Sequence, residues 1–143
     1  LLKEMMQEAI RPGYSIEKKL LTIADVHYRF SVEHREYFSV LLAVNAGSIV
    51  DKVDPEELRC IRSSELRNAE PVVELFRTGI SHGLFRADLD PEYAVVMLWV
   101  SMCGAIMLAQ NAAESELMRS IDAGQLVRDV VLNLVEGYKK RPA

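Results

Sequence analysis

The histidines and cysteines are the first residues to test for chemistry. His27 and His34 stand seven positions apart, two helical turns or ~10 Å along one face, so they cannot share a metal ion unaided. His82 sits in a Gly-rich turn. A metal site needs three or four converging ligands, and no third partner stands near either pair member. Cys60 and Cys103 form neither a metal motif nor a disulfide framework, so a reducing cytoplasm is the expected home. The apolar surroundings of Cys103 raise a thiol pKa and count against a redox or electrophile sensor. Glu56-Glu57 reads as charge at a helix N-terminus. There is no Ser/His/Asp order, no Gly-rich phosphate loop and no carboxylate pair inside an apolar face. The expectation is no catalysis, no metal and no cofactor. His27 and His34 keep two readings: a polar contact to a ligand, or a hydrogen-bonded histidine on or partly inside a helix.

What remains is a set of aromatic and methionine side chains at helical spacing. One face of residues 91–111 carries Val96, Trp99, Met102, Cys103, Ile106 and Gln110. Neighbouring stretches offer Met5, Met6, Phe30, Tyr37, Phe38, Leu41, Phe76 and Ile80. Rigid aromatics, flexible methionines and a few polar tips suit an apolar small-molecule pocket. The same stripe at helical spacing builds an ordinary core, and the residues alone leave that open.

The stretch that must position them is 91–111. Asp90 is a good N-cap, Pro91 suits the first helical position, and no charge occurs from Tyr93 to Ala109. A helix apolar on nearly every side must be covered on more than one face. Its charge-free run is short for a membrane span, which takes about 20 residues, and no Lys or Arg anchors either end. With mean hydropathy of +0.05 for the chain, a second subunit is the expected cover and no membrane is expected.

The 143 residues bound one domain, with 27% charged residues and a net charge of −4. Beyond Lys139-Lys140-Arg141 there is no basic block, so these residues lack the footprint of a nucleic-acid binder. Helical spacing recurs throughout and no strand pattern survives, so the fold class is all-α, a bundle of five or six helices. Residues 1–10 read as the tail of a helix stopped by Arg11-Pro12-Gly13. Ser15 caps a helix running to about Ala46 with the stripe Ile16, Leu20, Ile23, His27, Phe30, His34, Tyr37 and Leu41, and a kink or break near His34. Asp54 and Pro55 open the next helix, which Pro71 is expected to break or kink at about Glu70. A further helix reaches Gly83, and the last spans about Asp122 to Lys139. The chain does not start with Met, and the expectation is that something upstream is missing.

Two phrases carry a resemblance. Thr78-Gly79-Ile80-Ser81-His82-Gly83-Leu84-Phe85-Arg86-Ala87-Asp88-Leu89-Asp90-Pro91 resembles the segment of TetR-family transcriptional regulators in which a helix ends in Gly, an aromatic and Arg follow, and Asp-Leu-Asp-Pro opens a long apolar helix. Tyr28 to Phe38 is similar to that family's mid-domain segment, which often carries His-Pro where this chain has His34-Arg35. The helix order agrees over essentially the whole chain. The family's operator-binding helix-turn-helix domain has no counterpart here.

The resemblance implies the C-terminal, effector-binding and dimerisation domain of a repressor, spanning residues 1–143, cytoplasmic, with operator DNA bound only through a missing N-terminal domain. It implies a homodimer through the last two long helices. The expected interface is Ala94, Met97, Leu98, Ser101, Gly104, Ala105, Leu108, Val127, Val130, Val131 and Leu134. It also implies a cavity for a small apolar effector, with Met6, Phe30, His34, Tyr37, Phe38, Phe76, Trp99, Met102, Cys103 and Ile106 as the expected lining. The rival reading is a dimeric helical carrier or protein-interaction domain without a DNA partner.

Overall fold

Short polar side chains set the helix starts. Ser15 Oγ accepts from the backbone N–H of Lys18 at 3.2 Å. Asp54 Oδ1 accepts from Glu56 at 2.8 Å, Asp90 Oδ1 from Glu92 at 3.0 Å and Tyr93 at 3.1 Å, and Asp122 Oδ1 from Gln125 at 2.8 Å. Each satisfies a donor that the first helical turn leaves free. The resulting elements, in a computed structural model that describes residues 1–142, are α1 (Leu2–Ala9), α2 (Ile16–Glu33), α3 (Arg35–Asn45), α4 (Pro55–Ser81), α5 (Pro91–Gln110) and α6 (Ala123–Tyr138), with two single-turn 3-10 segments between them. Among the described residues the extended pairing is confined to one isolated bridge, Phe85 with Lys139. The all-α expectation holds.

Two boundaries are instructive. The break near His34 is present: its backbone (φ −127°, ψ 48°) separates α2 from α3. That break changes which side chain turns inward at the start of α3. Tyr37, expected on the buried stripe, is 73% exposed, and Phe38 is buried in its place. Pro71, by contrast, does not break the chain. It lies inside a continuous α4. Pro71 and Arg67 are both exposed, so water can serve the Arg67 carbonyl that the missing N–H leaves free.

Helix α5 packs against α6, α4 and α2, and α1 lies on α2. The core between them includes Leu20, Ile23, Phe38, Leu98, Met102, Ile106, Val127, Val131 and Val135. Ion pairs Arg128–Asp25 and Lys139–Glu17 tie α6 to α2. At the Lys139 end of the bundle, Phe76, Phe85 and Tyr138 form an aromatic cluster, with centroids 5.4 and 5.8 Å from Phe76. There Arg86 N–H donates to the Tyr138 carbonyl and Lys140 N–H to that of Leu84, both at 3.0 Å. This clasp joins the α4–α5 corner to the end of α6.

Candidate functional site

A half-open apolar cavity of about 710 Å³ lies between α1, α2, α3, α4 and α5. That volume is in the range of small-molecule sites. Helix α4 supplies one wall, with Ile61, Glu65, Asn68, Ala69 and Val72 recurring at helical spacing and Cys60, Arg62, Ser64 and Leu66 beside them. Leu2 and Met6 come from α1, Ile23 and His27 from α2, and Leu41 from α3. The remaining wall is α5, through Val95, Val96, Leu98, Trp99 and Met102. No residue of α4 before Val72 is buried, so this half of the helix borders the cavity instead of filling it.

The polar features are few. His27 is buried, with Nδ1 2.9 Å from the Ile23 carbonyl oxygen. Burial lowers its pKa, and the bond to Ile23 opposes that only in part. Its ring meets Trp99 edge to face, with centroids 5.5 Å apart. Glu65 is half-buried, whereas Arg62 and Cys60 are exposed. The Cys103 thiol, next to this region, is pushed up to about 12, first by burial and then by the charge of Glu65. A thiol so shifted is almost wholly protonated at neutral pH and is a poor nucleophile.

Of the ten residues expected to line a pocket, the cavity gathers Met6, Trp99 and Met102. Phe30, Phe38, Phe76, Cys103 and Ile106 are buried in the core, His34 sits at the α2–α3 junction against Phe30, and Tyr37 faces solvent. The α4 wall was missed because a thin stripe mixed with Ser64, Glu65 and Asn68 reads as a weak core face. That mixture of small, polar and apolar residues on one helical face was the available signal.

The expected dimer face is likewise redistributed. Ala94, Leu98, Ala105, Val127 and Val131 are buried inside this chain, and Leu98 also borders the cavity. Met97, Ser101, Gly104, Val130 and Leu134 are half-buried, and Leu108 is exposed. The outward side of α5 instead runs through Tyr93, Val96, Val100, Met107 and Leu108, each about half exposed or more. The cause is that α5 is apolar all round, so periodicity does not say which side turns outward. By length and composition alone α5 could cross a membrane. Among the described residues no group of three or more His, Cys, Asp or Glu converges as a metal site would require.

No protein-family model and no curated protein matches the sequence. The structure is similar to that of the ketosteroid transcriptional regulator KstR2 of Mycobacterium tuberculosis, with a TM-score of 0.76 and 14% identity over 98% of this chain. The fold is TetR-like. The match covers 66% of the neighbour's chain, so this chain spans about two thirds of that length. In TetR-like terms, α5 and α6 are the two long C-terminal helices, and Val96 stands where the cavity wall meets the exposed stripe of α5.

Proposed function

We propose that residues 1–143 form the effector-binding and dimerisation domain of a TetR-like transcriptional regulator, a cytoplasmic repressor whose helix-turn-helix lies outside this chain. The observation that carries this reading is the apolar cavity walled jointly by α1 and α5. A small apolar molecule seated against Met6, Trp99 and Met102 touches both helices at once. If it prefers one packing of α1 on α5, it shifts the population toward that packing by its differential affinity and no more. A DNA-binding head continuing from α1 would be re-aimed by that tilt.

Dimerisation is supported by the charge-free outer face of α5. Burying Tyr93, Val100, Met107 and Leu108 contributes on the order of 1.5–3 kcal/mol per large apolar side chain, against association costs of roughly 4–15 kcal/mol. The half-buried Val130 and Leu134 on α6 would extend the contact. The likeness to a transcriptional regulator supports this role at the level of fold, and at 14% identity it does not carry a ligand across.

Native mass spectrometry tests both parts. The expected result is a dimer that sheds a discrete small mass on activation, or that takes up an added apolar compound. A monomer would remove the dimer reading. Crystals of the intact regulator with and without ligand showing the same α1–α5 angle would remove the lever.

A further inference from the structure

We propose that the cavity selects an uncharged apolar ligand bearing one hydrogen-bond donor, a hydroxyl or N–H, which Nε2 of His27 accepts. This rests on the effector-binding reading of the cavity and assigns its chemistry. The argument starts from the bond to Ile23. A carbonyl oxygen can only accept, so the Nδ1 that lies 2.9 Å from it carries the proton. Burial holds the imidazole below its ordinary pKa, and it is therefore neutral with a single N–H. Nε2, the other ring nitrogen, is left as a lone-pair acceptor.

Among the described residues the recorded hydrogen bond of the ring is the one at Nδ1, and Nε2 is not among the fully enclosed unpaired polar atoms, so it keeps some access. His27 is only 7% exposed and borders the cavity. A lone pair on a mostly buried ring beside an apolar cavity gains from a donor that the ligand itself carries. The ring cannot easily turn away, since the Ile23 carbonyl fixes one edge and Trp99 packs against it. The rest of the lining from α1, α2 and α5 is apolar, with Met6, Ile23, Val95, Leu98 and Met102, and the uncharged polar groups Ser64 and Asn68 stand on the α4 wall. The charged side chains of the lining are Glu65, which would repel an anion, and Arg62, exposed at the rim. A carboxylate or phosphate brought to His27 would meet a neutral ring with its lone pair outward. A neutral donor on an apolar body is the chemistry that fits.

The test compares dodecan-1-ol with its methyl ether on the 143-residue chain, by calorimetry and by emission of Trp99, the one tryptophan. The ether is the more apolar, so a wall without a working acceptor favours it. The expected result is the reverse order, with the alcohol several-fold to about tenfold tighter, the value of one hydrogen bond. His27→Phe, checked for retained helicity, should restore the ether's advantage. Independently of any substitution, imidazole ¹⁵N spectra should show His27 protonated at Nδ1, and its Nε2 signal should move with the alcohol and not the ether. An ether that binds tighter to the unsubstituted chain, or an Nε2 signal unmoved by bound alcohol, overturns the His27 assignment and leaves the cavity reading intact. Binding of neither compound overturns the cavity reading, and this proposal with it.

Discussion

Gly79 of α4 lies directly under the ring of Phe85: a Cβ at position 79 would stand 2.3 Å from Phe85 Cδ2. The backbone N–H groups of Leu84 and Phe85 both donate to the Gly79 carbonyl, at 2.9 and 3.1 Å. Gly83 turns the chain with φ of 75°, which drops Phe85 back onto the helix that has just ended. Phe85 is 1% exposed and fixed between Phe76 and Lys139, so it cannot give way. Gly79→Ala is expected to lower stability by about 1–3 kcal/mol through overpacking. Urea unfolding read by circular dichroism is the check, and an unchanged midpoint would mean that the contact is not this tight.

Gly104 gives a test of opposite sign. Nothing within 4 Å of this chain opposes a Cβ there, and the residue sits in the middle of α5 beside the exposed Val100, Met107 and Leu108. In an isolated chain Gly104→Ala should stabilise the helix by roughly 0.5–1 kcal/mol. In the proposed homodimer the same methyl group intrudes where two helices approach, so dimer dissociation should become easier while the monomer gains. Sedimentation at graded concentrations separates the two. Val100→Glu should abolish the dimer outright without loss of helicity, and a Val100→Glu protein that stays dimeric would put the interface elsewhere.

The two thiols should differ sharply. Cys60 is exposed at the cavity rim, whereas Cys103 is buried and raised to about 12. A chromogenic disulfide reagent at pH 8 should titrate one thiol promptly and the second only on adding denaturant. Prompt release of two equivalents would show that α5 opens readily on that side.

Acid should weaken the fold through His27. Its folded pKa lies below the ordinary 6.5, so as pH falls below that value the unfolded chain binds a proton that the folded chain refuses. Stability contributed by the neutral ring is complete above 6.5 and declines as pH drops toward the lowered folded value. The slope is bounded by one proton, about 1.4 kcal/mol per pH unit. Denaturation midpoints between pH 7 and 5 should fall in the native chain and fall less in His27→Phe. Equal slopes in both would assign the effect to other groups.

Helix existence was legible because its signals are local. Asp54 and Asp90 followed by Pro predict the starts of α4 and α5, and both carboxylates do accept from the first turn. The break at His34 was legible from a polar run. Continuity through Pro71 was not, since it depends on which side of α4 faces water. The facing of α5 was not legible either: with no polar face to orient it, only its neighbours decide that Ala94 and Leu98 turn inward while Val100 turns out. The cavity lining differs from the expected one for a related reason. Phe30, Phe38 and Phe76 are the residue types that suit a pocket, yet they are equally good filler, and the actual wall came from the modest Ile61, Glu65 and Ala69.

The clasp between the α4–α5 corner and the end of α6 turns α5, its connector and α6 into a hairpin pinned at its open end. Motion of α6 along its axis must drag the Leu84–Arg86 corner with it, because Leu84 and Arg86 are bonded to Lys140 and Tyr138. Among the described residues, the connector from Asn111 to Asp122, at the far end, carries no such backbone tether to another helix. Its length is thermodynamically cheap, as doubling a flexible loop costs only about 0.6 kcal/mol. Peptide tags or reporter insertions belong there, while the same insertion at Ala87 would pull apart the pinned end.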